Sequence, residues 1–179
     1  MKLRLSALAL LVASCSSAGP YGHSPVYSPL DEEKAAIAGA TDYDPVMAKR
    51  SPEQWKGKTV SLFGVVANRT PGAGGNTELK LSVRTLEPRN LCDSTDEDSC
   101  RVTVSSREHA VAHALLHLSS AEDDIGEHSI GLSSLVRVVG TLSDEVDPSD
   151  GEPVIRAKYY RHWPRAYYVT TADRGTMLR

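Results

Sequence analysis

Two stretches of this chain echo one another, and the echo restricts the fold more than any other feature. Val60-Ser61-Leu62-Phe63-Gly64-Val65-Val66 matches Val136-Arg137-Val138-Val139-Gly140-Thr141-Leu142, and in each a glycine stands on the parity of the apolar residues. Alternation of this kind is the period of a strand with one buried face. A glycine inside such a strand gives up packing and marks a bend or a close approach. Strongly coiled strands are what a small closed barrel needs. The pattern therefore predicts a barrel, with an open antiparallel sheet packed under a helix as the alternative.

The rest of the pattern supplies an order. Lys58–Arg69 and Leu79–Arg84 alternate as strands, joined by the turn Pro71-Gly72-Ala73-Gly74-Gly75-Asn76. Val102–Val104 reads as a short third strand. Ser105 and Glu108 then form a Ser-x-x-Glu capping box that opens a helix, with Val111, Ala114, Leu115 and Leu118 on one face. Leu135–Leu142 and Val154–Tyr160 follow as strands, the last after an Asp150-Gly151 turn. This order, β-β-β-α-β-β, resembles the OB-fold, a five-stranded Greek-key barrel with a helix after strand three. The expected class is all-β with one helix. Asp44-Pro45 and Ser51-Pro52-Glu53-Gln54 each carry a helix start upstream of the first strand. Residues 41–168 are thus the expected domain and 169–179 a tail.

The N-terminus reads as an address. Lys2 and Arg4 precede the apolar run Leu5–Ala13, which has the length of a signal core and falls short of the ~18 residues a spanning helix needs. Val12-Ala13-Ser14-Cys15 resembles the lipobox of bacterial lipoproteins, with an ordinary signal peptide as the alternative. The resemblance implies a signal peptide over 1–14, lipidation of the Cys15 thiol, and attachment of the chain to a membrane. Ser16 after the Cys implies sorting to the outer membrane, with the domain facing the periplasm. Residues 15–40 then read as the lipidated Cys and a flexible tether, broken by Pro20, Pro25 and Pro29. Asp31–Ala38 has the composition of a helical turn too short to be stable alone.

The layout also resembles the Slp-type outer-membrane lipoproteins over about residues 44–165. The likeness rests on the lipobox, the lead-in Ser51–Val66 with Pro52, Trp55 and Gly57, the Leu79 strand, and Val136–Gly140 before Trp163. It implies an envelope location and no defined chemistry.

Candidate sites are few. Cys92 and Cys100 are an even pair in an exported chain and are expected to form a disulfide around an acidic loop. Their spacing is not Cys-x-x-Cys, and no further Cys is at hand to complete a thiolate zinc site. His109, His113 and His117 stand four apart on the expected helix and could chelate Zn²⁺ or Cu²⁺, or simply form an exposed polar face. The run Asp144–Glu152 departs from EF-hand spacing and reads as a solvated hairpin. Arg161, Trp163, Arg165, Tyr167 and Tyr168 lie in a C-terminal stretch that is basic and aromatic on a chain of net charge −3. Such a stretch suits either a partner interface or packing across the barrel end.

There is no phosphate loop, no readable triad and no thiol nucleophile, so neither an enzyme nor a cofactor is expected. Strands two and three expose Lys80, Ser82, Arg84, Arg101 and Thr103 but no aromatic for base stacking, and an exported chain rarely meets nucleic acid, which is therefore not expected. The chain reads as a lipid-anchored envelope module that binds or assembles, through an envelope protein or glycan. The alternative is a periplasmic binder of a metal ion or glycan.

Overall fold

The computed structural model describes residues 27, 29–87, 91–92, 100–165 and 167–172, with the backbone alone at 91, 92, 100 and 101. In chain order the elements are α1 (Asp31–Ile37), β1 (Thr41–Asp42), α2 (Pro45–Arg50), α3 (Pro52–Trp55), β2 (Thr59–Pro71) and β3 (Thr77–Arg84). They continue with β4 (Leu91–Cys92), β5 (Cys100–Val104), β6 (Ala110–Leu116), α4 (Ala121–Asp124), β7 (Leu135–Val146), β8 (Pro153–Trp163) and β9 (Tyr168–Thr170).

Five strands close on themselves in the order β2-β3-β6-β8-β7, with β7 returning to β2. β6 and β8 run parallel, whereas the other four contacts of the ring are antiparallel. This is the five-stranded barrel of an OB-fold-like protein. Val60, Leu62, Leu79, Leu81, Val136, Val138 and Ile155 fill its interior, and Trp55 of the lead-in plugs one end.

Both echoing glycines sit where neighbours come too close for a side chain. A Cβ at Gly64 would lie 2.8 Å from Leu81 Cβ, and one at Gly140 would lie 2.3 Å from the Arg156 carbonyl oxygen. The β7–β8 register shifts between Val139 and Gly140, a bulge at the expected bend.

The expected helix over Ser105–Leu118 is corrected: its core is the strand β6. Val111, Ala114, Leu115 and Leu118 fit a helical period, but Ala110, Ala112, Ala114 and Leu116 also alternate. The ladders offered by β3 on one edge and β8 on the other decide between the two periods. Ser105 does not cap a helix; its hydroxyl accepts from Thr85 N–H at 3.1 Å and donates to the Arg107 carbonyl at 2.9 Å. The helix after the third barrel strand is α4, only four residues long, capped by Ser120 and Asp123. Val102–Val104 belongs to β5, not to the barrel. It forms a second sheet, β4-β5-β9, outside the ring.

That sheet covers a satellite core of Phe63, Val102, Val104, Leu135 and Trp163, against which Tyr27, Leu86 and Tyr168 pack. β9 carries this layer past residue 168, into the expected tail.

The stretch assigned to the tether ends in structure. α1 packs on β8, and its Glu33 is fully buried. Glu33 Oε1 accepts from Arg137 Nη1 at 2.7 Å and Oε2 from Arg161 Nη1 at 3.0 Å. Tyr27 Oη also donates to Oε1, and Leu30 N–H to Oε2 at 3.2 Å. This anchorage supplies the stability that a seven-residue helix lacks by itself. The Asp44 cap forms as expected, accepting from Val46 and Met47 N–H at 2.9 and 3.0 Å. Ser51 makes no side-chain cap.

Candidate functional site

Along one edge of β2 the hydrogen-bonding partner changes. Val60 and Ser61 pair with β1, and from Phe63 onward the partner is β3. A groove of about 680 Å³ opens at this join. Asp42, Tyr43, Asp44 and Val46 form one wall, Val83, Arg84, Thr85 and Leu86 the other, and Ser61, Phe63 and Arg137 the floor, with His109 beside them.

Its floor is rigid for identifiable reasons. The Arg137 guanidinium lies 4.9 Å from the Phe63 ring centroid, donates through Nε to Ser61 Oγ at 3.2 Å, and is neutralised by Glu33. Tyr27 and Trp163 rings stand 6.0 Å from Phe63, edge-on and tilted respectively. The near wall is fixed by Tyr43 N–H, which donates to the Ser61 carbonyl at 2.9 Å. Burial, with Glu152 and Asp44 adding to it, pushes the Tyr43 phenol up to about 12, so it stays a neutral donor. On the far wall Arg84 Nη1 donates to the Ser105 carbonyl at 3.4 Å and to that of Ser106. Its Nε is buried and has no hydrogen-bond partner among the described residues. The groove thus joins a floor of the Phe63 ring and the neutralised Arg137 to a rim carrying both signs of charge.

A second constellation lies on the outer face of β3 and β6. His113 is buried. Its Nδ1 lies 2.9 Å from Glu78 Oε1 and 3.7 Å from Asp147 Oδ2, and its Nε2 lies 3.0 Å from Asp150 Oδ2. Lys80 Nζ reaches the same Asp150 oxygen at 2.8 Å. Burial alone would pull the His113 imidazole down, but its hydrogen bonds to Asp150 and Glu78 outweigh that and raise it above 6.5. Lys80, then His113, hold the Asp150 carboxyl far below its usual range. The acidic hairpin is therefore partly fastened to the barrel, where a fully solvated loop was expected.

The sequence candidates scatter. His113 points out of the barrel wall, while His109 and His117 are exposed on the same extended segment, so the three do not share a helix face. Residues 109 and 117 lie eight positions apart, which at ~3.3 Å per residue separates them far beyond any chelate. Of the C-terminal set, Trp163 is buried in the satellite core and Arg161 clamps Glu33. Tyr168 Oη donates to the Ser133 carbonyl at 2.9 Å, and Arg165 and Tyr167 are exposed. Cys15 lies outside the described residues. The side chains of Cys92 and Cys100 do too, but the β4–β5 backbone register sets these two residues opposite each other.

Sequence reasoning missed Glu33, Glu78, Asp147 and Asp150 as partners of buried cations. Glu78-x-Lys80 on the polar face of a readable strand was the available signal. Nothing local marks Glu33, whose partners lie 104 and 128 residues away.

No protein-family model matches the chain, and no curated protein matches it. Among solved structures, the chain is similar to a small single-stranded DNA-binding protein from Streptomyces coelicolor. The identity is 17%, covering 60% of this chain and 94% of that one, with a TM-score of 0.36. It is also similar to a protein of Klebsiella pneumoniae described as a "putative nucleic acid-binding lipoprotein". That identity is 14%, covering 76% of this chain and 99% of the other, with a TM-score of 0.37. The expectation that nucleic acid is not a ligand is corrected here: both structures are described as binding nucleic acid, and the exclusion is withdrawn.

Proposed function

We propose that this protein is a lipid-anchored, non-catalytic envelope module that binds a small glycan in the groove over Phe63. The observation that carries the reading is the groove itself. Its volume of about 680 Å³ falls within the ~300–1,000 Å³ of small-ligand sites. A sugar ring presents an apolar C–H face and a polar edge. Phe63, Val83 and Leu86 match the first, and Asp42, Tyr43, Asp44, Arg84 and His109 match the second. Groups of both signs favour a glycan fragment carrying carboxylates and amines. The unpaired Arg84 Nε represents a deficit of about 1–3 kcal/mol that a ligand acceptor can relieve when the side chain turns toward it.

Assembly through the C-terminal segment is less favoured, because Arg161 and Trp163 are engaged within the fold. Lipidation of Cys15, outer-membrane attachment facing the periplasm, kinship with the Slp-type lipoproteins and a Cys92–Cys100 disulfide complete the proposal. The lipobox pattern and the β4–β5 register support them.

The test is calorimetric titration of the full-length chain with a purified peptidoglycan disaccharide-peptide, beside a single-stranded oligonucleotide. The expected result is saturable glycan binding, weakened about tenfold or more, or ~1.4 kcal/mol, by Arg84→Ala. Arg165→Ala, outside the groove, should leave it unchanged. Absence of glycan binding, or an unaltered Arg84→Ala variant, overturns the reading. Oligonucleotide binding lost in Arg84→Ala would reassign the groove to nucleic acid.

A further inference from the structure

We propose that Glu78, His113 and Asp147 form a site for a divalent transition metal, Zn²⁺ being the fitting ion, which fastens the β7–β8 loop to the barrel wall. The site shares no residue with the groove and stands independently of the glycan reading. His113 Nδ1 lies 2.9 Å from Glu78 Oε1 and 3.7 Å from Asp147 Oδ2, and the three ligand atoms all fall within 4.8 Å of one another. Zinc bonds of ~2.0–2.2 Å in a tetrahedron set neighbouring ligand atoms about 3.4 Å apart. The two histidine separations bracket that value, so the ion enters with small side-chain shifts. It replaces the proton on Nδ1, which leaves to solvent.

The opposite nitrogen is already prepared. Nε2–H donates to Asp150 Oδ2 at 3.0 Å, and Lys80 Nζ holds that carboxylate at 2.8 Å. A carboxylate on the far N–H of a ligating histidine fixes ring orientation and tautomer, the common arrangement behind metal-bound imidazoles. Charge agrees as well. Three carboxylates and one ammonium leave two negative charges around a neutral His113, which a divalent ion cancels. Glu152 and Lys49 beside them pair with each other at 3.5 Å. One imidazole nitrogen with two carboxylate oxygens suits Zn²⁺, whereas Ca²⁺ and Mg²⁺ favour oxygen ligands alone. Glu78 is 27% exposed, so water reaches the fourth position.

The experiment titrates metal-free, full-length protein with Zn²⁺ alone at neutral pH. The expected result is one equivalent bound, with Glu78→Gln and Asp147→Asn each weakening affinity at least ~10-fold and Asp150→Asn by ~10–100-fold. His109→Ala and His117→Ala should bind as the parent does. Zinc should also raise the melting midpoint of the parent and leave that of Glu78→Gln unmoved. No saturable uptake, or equal uptake by Glu78→Gln and Asp147→Asn, overturns the proposal and marks any zinc as adventitious. If a variant fails to fold, imidazole nitrogen NMR of the parent decides. A metal-bound Nδ1 with protonated Nε2 at His113 supports the site, and a response at other histidines alone overturns it.

Discussion

Glu33 is the residue on which the N-terminal arm depends. Its carboxylate is fully buried between Arg137 and Arg161, and removing one partner of a buried pair leaves the others uncompensated. Burial by itself would push the Glu33 carboxyl up, but hydrogen bonds from Tyr27, Arg137 and Arg161 overcome it and hold the group below 4.5. A carboxyl with a lowered folded value contributes stability above its unfolded value and loses it as pH falls through the folded one. The contribution is therefore complete above about pH 4.5 and disappears in more acid solution. Glu33→Gln should cost about 3–5 kcal/mol in urea unfolding at neutral pH and flatten this acid dependence. An unchanged midpoint would mean that the arm is not held by this carboxylate. None of this was legible in sequence, because Glu33 sits in an acidic run that reads as solvated. Gly64 and Gly140 were legible, since a glycine on the apolar parity of a strand has few purposes other than close approach.

At the scale of elements, β2, β3, β7 and β8 could be read from alternation and β6 could not. Its alanines and leucines satisfy two periods at once, and only the neighbouring ladders select the extended one. The error displaced three histidines onto a helix face that does not exist. It also hid His113 as the counterpart of Glu78, Asp147 and Asp150, which are brought to it by strand register and a hairpin turn. β4 and β5 meet with Cys92 opposite Cys100, a register suited to a cross-strand disulfide. Protein recovered from an oxidising compartment should accordingly gain the mass of two hydrogens on reduction. Closing so short a loop stabilises by about 2.5 kcal/mol in the chain-entropy model, so reduction should lower the urea midpoint measurably. Free thiols in the oxidised protein would contradict the pairing.

At the scale of the whole molecule, the barrel is wrapped on the outside of β2, β7 and β8 by two layers that sequence pattern did not join to it. One is the arm from Tyr27 through α1, and the other is the β4-β5-β9 sheet. The two meet around Phe63, and Tyr27 and Arg137 beside it complete the rigid floor of the groove. Under the lipidation proposal, twelve peptide steps from Cys15 to Tyr27 reach at most about 40 Å, so the anchor confines the domain near the membrane surface. A ligand site so placed samples the glycan next to that membrane. On the proposed reading the groove holds a small glycan and not a polypeptide. Val46, on the groove wall, is 60% exposed and accepts a probe without loss of core packing. The most direct measurement replaces Val46 by a photo-crosslinking residue in the full-length protein, irradiates living cells, and weighs the adduct. The expected product is a sugar-containing adduct of small mass that is lost in the Arg84→Ala background. An adduct with another polypeptide at this position, or one indifferent to Arg84, would contradict it.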